Sequence, residues 1–209
     1  MSAALHDASD HELDYISNCP PWTLAELVVH TADSVRFTDF PAAPEEAARR
    51  EAADYYRRPE RSTTEYRQRN VERAQRHAQT LLARTAAPVY FESMLQSIVA
   101  WADEIDLERL VEIDGIGAMR LGDWLVTRVI SVAAHGLDVA LTLTRPSWTT
   151  AQALHVMTPV FVSLLGAEPP PGLGWDDQRF FEIGTGRRPL ADRERDELGP
   201  GADRFPLLS

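Results

Sequence analysis

Five residues of this 209-residue chain have side chains and spacings suited to chemistry: His30, Arg128, Ser131, His135 and Asp138. The last four lie in one stretch, residues 124–142, that lacks proline and has the length and composition of a helix of roughly five turns. At about 100° per residue, its polar members Thr127, Arg128, Ser131, His135, Asp138 and Thr142 gather within roughly a third of the circumference. Apolar residues such as Leu125, Ile130, Leu137 and Val139 fill the rest, so the stretch reads as a largely buried helix with one polar seam. Buried polar groups need partners, and the seam therefore implies either a hydrogen-bonded structural network or a site. As a site, His135 would act as general acid or base with Asp138, three residues on, setting its properties. Arg128 would hold a carboxylate through paired hydrogen bonds. Ser131 sits mid-helix without the sharp turn of a serine nucleophile, so it belongs to the seam without that role.

The elements that must position this seam follow from capping and periodicity. Thr23 and Glu26 form the Thr-x-x-Glu capping box of a helix over residues 24–37, with Trp22 placed to staple onto Leu27. Leu24, Leu27, Val28, Thr31 and Val35 mark its core face. His30 falls well round from that face, beside Glu26 and Asp33, where periodicity alone gives a solvated residue. Residues 45–58 read as an exposed, charged, alanine-rich helix ended by Pro59. Ser62 and Glu65 offer a second capping box, opening a helix to about Arg84 with its arginines and His77 on a solvated face. Residues 89–105 form a further amphipathic helix around Phe91, Leu95, Ile98, Val99 and Ala102. Alternation around Asp114-Gly115 gives a small hairpin-like turn leading into the central helix. Thr149 or Thr150 caps another helix to about Leu165, kinked at Pro159, with His155 a packing or surface residue.

The fold class is all-α: a four-helix bundle with short additional helices and a hairpin-like turn before the third main helix. Residues 1–166 form the bundle domain, and the proline- and glycine-rich residues 167–209 form a C-terminal tail of one or two short helices packed on it. The Gly-x-Gly at 184–186 has no strand–helix–strand context and is not a dinucleotide motif. A net charge of −11 argues against nucleic acid, which requires a basic face. All 21 basic residues are arginine. No leader pattern opens the chain, and no apolar run approaches the roughly 20 residues that span a bilayer, so no membrane partner and a cytoplasmic location are expected. Cys19 is the single cysteine, which excludes an intrachain disulfide and a multi-cysteine zinc site.

The segment Cys19-Pro-Pro-Trp22-Thr23-Leu-Ala-Glu26-Leu27-Val-Val-His30 resembles the opening motif of DinB/YfiT-like proteins, closest to their mycothiol-dependent maleylpyruvate isomerase branch. Residues 117–138, which include Trp124, Arg128, His135 and Asp138, resemble that branch's second motif. The tail, with Gly186-Arg-Arg-Pro-Leu and Phe205-Pro-Leu-Leu208, is similar too. The resemblance implies a bundle that holds a divalent metal, zinc or nickel, with His30 turned inward opposite His135 as ligands. It implies mycothiol as cofactor, whose metal-bound thiolate attacks a small electrophilic metabolite in isomerisation or S-transfer.

The family's third ligand, Glu or His, would fall at position 131, where this chain has Ser131. A hydroxyl that stays protonated is a poor ligand, and a catalytic zinc normally has three protein donors. Three readings remain open: Asp138, Glu26 or Asp33 substitutes as the carboxylate ligand; the metal is lost and the seam of Arg128, Ser131, His135 and Asp138 serves metal-free tailoring of a small metabolite; or the seam is a buried network in a non-catalytic binding protein, its long helices pairing in a homodimer.

Overall fold

The computed structural model describes residues 1, 5–36, 39–81 and 86–208. A short helix, α1 (Asp10–Leu13), precedes α2 (Leu24–Ser34). After a long connection come α3 (Ala52–Tyr56), a 3-10 turn (Pro59–Ser62), α4 (Thr64–Thr80) and α5 (Ala86–Glu104). A hairpin of β1 (Leu110–Ile113) and β2 (Gly117–Arg120) leads into the central helix α6 (Leu121–Thr142). Then follow α7 (Ala151–Leu165), α8 (Asp177–Gly184) and α9 (Asp192–Leu198). The architecture is mostly α, as the patterning predicts. The expected helix ends at Phe37 and Arg84 lie outside the described residues.

The capping box at α2 is formed in full: Thr23 Oγ1 accepts from Glu26 N–H, and the Glu26 carboxylate accepts from Thr23 N–H at 2.9 Å. Helix α2 packs against α4, α5 and α6 together. It therefore buries Ala25, Val29 and Ala32 as well as the expected Leu24, Leu27, Val28 and Thr31. With neighbours on three sides it has little solvated face, and this is why His30 is drawn inward against its own periodicity.

Two expectations are corrected. Residues 45–58 are not one exposed helix: only Ala52–Tyr56 is helical, and Ala52, Ala53 and Tyr56 are buried in the core with Ile130 and Ala134 of α6. The cap of α4 is Thr63, whose hydroxyl accepts from Tyr66 N–H, and not Ser62. Helix α6 is 22 residues long and contains an 18-residue window of mean hydropathy 1.4, long and apolar enough to cross a membrane by that measure alone. Its Trp124, Ile130, Leu137 and Val139 are buried within the bundle instead.

The hairpin pairs Leu110 with Arg120 and Ile113 with Gly117, and Gly115 and Gly117 take the positive φ angles that the tight turn requires. The tail lies on the bundle. Phe180, Phe181 and Leu207 share a core cluster with Ile130, Met157 and Phe161. A Cβ added at Gly184 would stand 2.5 Å from the Phe161 ring, so α8 approaches α7 as closely as a glycine permits.

Candidate functional site

Helices α2, α3, α4 and α6, the hairpin turn and the tail enclose a cavity of about 510 Å³ lined by His30, Ser34, Tyr55, Arg128, Ser131 and His135, among others. That volume suits a small metabolite or cofactor. Six guanidinium groups border it, from Arg36, Arg58, Arg61, Arg73, Arg128 and Arg187, against two carboxylates, Asp33 and Asp114. In a chain of net charge −11, the lining of this cavity is cationic.

His30 and His135 face one another edge to face, with ring centroids 5.1 Å apart. Trp22, only 6% exposed, stacks on His30 with centroids 4.3 Å apart and so fixes its ring. The Nδ1 of His30 is buried and has no hydrogen-bond partner among the described residues. Burial first, then the His135 ring and the charges of Arg73, Arg128 and Arg61, hold this imidazole well below its ordinary pKa, and it is neutral.

The Nδ1 of His135 lies 3.2 Å from Asp138 Oδ2. Asp138 does not line the cavity. It is 1% exposed and stands behind His135, where Arg187 donates to Oδ1 at 3.1 Å and to Oδ2 at 2.6 Å, and Asn18 donates to Oδ1 at 3.1 Å. Burial alone would raise the Asp138 carboxyl, but the hydrogen bonds from His135 and Arg187 outweigh it and bring it down to about 2. An ionised carboxylate only accepts, so Nδ1 of His135 carries the proton and Nε2 is the basic nitrogen.

Arg128 is held rigidly. It donates to the Ser34 carbonyl at 2.9 Å and to Thr127 Oγ1 from Nε at 3.0 Å and Nη2 at 2.9 Å. A guanidinium has five N–H donors. Three of them are committed to Ser34 and Thr127, and the group also acts on the Tyr55 hydroxyl. Its plane also lies against Trp124 and Tyr55, at 5.2 and 4.8 Å. Ser131 donates to the Ser34 hydroxyl at 3.0 Å and makes no contact of its own with Asp138 or His135 that would mark it as reactive.

The donor set does not fit a divalent metal. His30 and His135 supply two imidazoles, and Ser131 supplies a hydroxyl already bonded to Ser34. Neither spare carboxylate completes them: Glu26 caps α2, and Asp33 accepts from Tyr90 at 2.9 Å and bonds His77 at 3.0 Å. That second pairing half-buries His77, expected on the solvated face. Cys19, His135 and Asp138 do bring three ligand-type atoms within 4.8 Å of one another. There, however, Asp138 is saturated by Arg187 and Asn18, and burial followed by the Asp138 charge pushes the Cys19 thiol up to about 11. Deprotonating that thiol to ligate a metal therefore costs more than it does for an ordinary cysteine.

Sequence reasoning missed Tyr55, Arg58, Arg61, Arg73 and Arg187. The signal for the first three was present: adjacent Tyr55 and Tyr56 do not belong on a solvated, alanine-rich helix. Arg187 had no local signal, because its partner lies 49 residues earlier.

The family model described as mycothiol maleylpyruvate isomerase N-terminal domain matches residues 1–140, the part of the chain that carries His30, Tyr55, Arg128, His135 and Asp138. No curated protein and no solved structure matches.

Proposed function

The chain belongs to the mycothiol maleylpyruvate isomerase N-terminal domain family, and from that premise we propose that it is a cytoplasmic isomerase or S-transferase acting on a small anionic electrophile. The observation that carries this reading is the cationic cavity around His30 and His135. Its guanidinium groups match a carboxylate-bearing substrate, Arg128 above all, because it lines the cavity on a rigid frame. A low-molecular-weight thiol, mycothiol by the family's name, supplies the nucleophilic sulfur. His135 takes the thiol proton at Nε2, and Asp138 stabilises the imidazolium so formed from the opposite side of the ring. His30, neutral and held flat by Trp22, closes the apolar side and excludes water. Positive charge that a metal provides in the wider family comes here from arginine.

The test is incubation of the full chain with mycothiol and an activated cis-enoate, followed by NMR. Isomerisation or thiol conjugation that requires both the thiol and His135 supports the reading. Thiol-independent turnover, or turnover undiminished in His135→Ala, sinks it.

A further inference from the structure

Tyr55 lines the same cavity and takes no part in the chemistry proposed above. Its position is set by its neighbours on α3. Ala52, Ala53 and Tyr56 face the core, and the Tyr56 hydroxyl donates to the Thr127 carbonyl at 3.0 Å, so the short helix is pinned to α6. Tyr55, one step round, lines the cavity. Three guanidinium carbons surround its ring: Arg58 at 4.4 Å, Arg128 at 4.8 Å and Arg61 at 5.0 Å from the centroid. Arg58 is fixed by its Nε bond to the Tyr55 carbonyl at 3.0 Å, and Arg61 by its bond to the Tyr66 hydroxyl at 3.1 Å. The Nε of Arg61 is buried without a hydrogen-bond partner among the described residues.

We propose that Tyr55 is an acid–base residue of this cavity, protonating the carbonyl oxygen of the bound substrate as a nucleophile adds and taking that proton back on elimination. The inference rests on the isomerase or transferase reading above. In the forward step the Tyr55 O–H bond breaks, the proton passes to the substrate oxygen that gains the electron pair, and a phenolate remains among three guanidiniums. In the reverse step the enol O–H breaks and the phenol is restored, so no outside oxidant or reductant is needed.

The surroundings favour the phenolate. Burial alone would raise the phenol, but the charges of Arg128, Arg61 and Arg58 outweigh it and bring Tyr55 down to about 8. A group that titrates near working pH transfers protons most effectively. The groups nearest its ring are Tyr56 on its own helix, Arg58 and Arg61 in the following turn and Arg128 on α6; Tyr66, Arg73, Arg36, Asp33, Asp114, Arg187, His30 and His135 share the cavity. Tyr56, by contrast, is pushed up by burial and is committed to Thr127.

Ultraviolet titration of the full chain tests this, because tyrosinate absorbs where tyrosine does not. A tyrosinate step with a midpoint of about 8 is expected in the wild type, lost in Tyr55→Phe and moved upward in Arg61→Gln. Saturating maleate, a small dianion, should move the midpoint up as well, since it neutralises the same guanidiniums. Where turnover is measured, Tyr55→Phe should lower kcat by about 100-fold or more with KM near wild type. Absence of the step, its persistence in Tyr55→Phe, indifference to maleate, or an unchanged kcat overturns the proposal. The titration arms do not depend on thiol chemistry, so they separate failure of the Tyr55 assignment from failure of the isomerase reading.

Discussion

His135 and Asp138 are joined across one helical turn, Nδ1 to Oδ2 at 3.2 Å, and the carboxylate is itself gripped by Arg187 from the C-terminal tail. The i, i+3 spacing makes the first contact possible within α6. The second reaches across 49 residues and ties the tail to the residue that orients the site.

Asp138→Asn should destabilise the fold by about 3–5 kcal/mol, because it leaves Arg187 partly buried without its counter-charge. The effect should depend on pH. The folded carboxyl titrates near 2 against 3.8 for the ordinary group, so its stabilisation is complete above about pH 4 and is lost as pH falls through 2. Chemical denaturation of wild type and variant at several pH values checks this; curves that stay parallel down to pH 2 would contradict it.

Arg187→Ala should cost a similar amount, and the double variant with Asp138→Asn should cost clearly less than the sum of the two. A double-mutant cycle on unfolding free energies reads the coupling directly. Additive losses would mean that the tail does not act through Asp138.

Zinc and nickel should bind the wild type weakly, since only two imidazoles and a hydroxyl meet at the expected centre. Ser131→Glu restores a carboxylate one turn before His135 and should raise affinity for zinc at least about tenfold. Elemental analysis of untagged protein and competition with a chelating dye measure both. A wild type that holds one metal per chain would overturn the argument from the donor set.

Maleate should bind in the cavity, and Arg128→Gln or Arg61→Gln should weaken it by roughly tenfold or more, the worth of one charged hydrogen bond. Calorimetric titration at two salt concentrations is the measurement. Equal affinity in both variants would place the anion elsewhere.

Gly184→Ala should lose about 1–3 kcal/mol by driving a methyl into the Phe161 ring. Thermal unfolding reads it. A neutral result would mean that α8 is free to shift off α7.

Sequence alone determined the elements whose instructions are local. The Thr23–Glu26 capping box, the hairpin around Gly115, a threonine cap at 149 or 150 and the continuous apolar surface of α6 each act within a few residues, so reading them needed no fold. The seam of Arg128, Ser131, His135 and Asp138 was legible for the same reason: it has one helix's period. Tertiary structure decided what those residues meet. Packing α2 against three helices turned His30 from a solvated position to a half-buried one beside Trp22. Folding α3 into the core carried Tyr55, Arg58 and Arg61 from an apparently solvated charged stretch to the cavity wall. Arg187 reached Asp138 only because the tail folds back. Periodicity reports which face a helix buries, but a charge cluster drawn from five separate segments has no period, and only the folded chain assembles it.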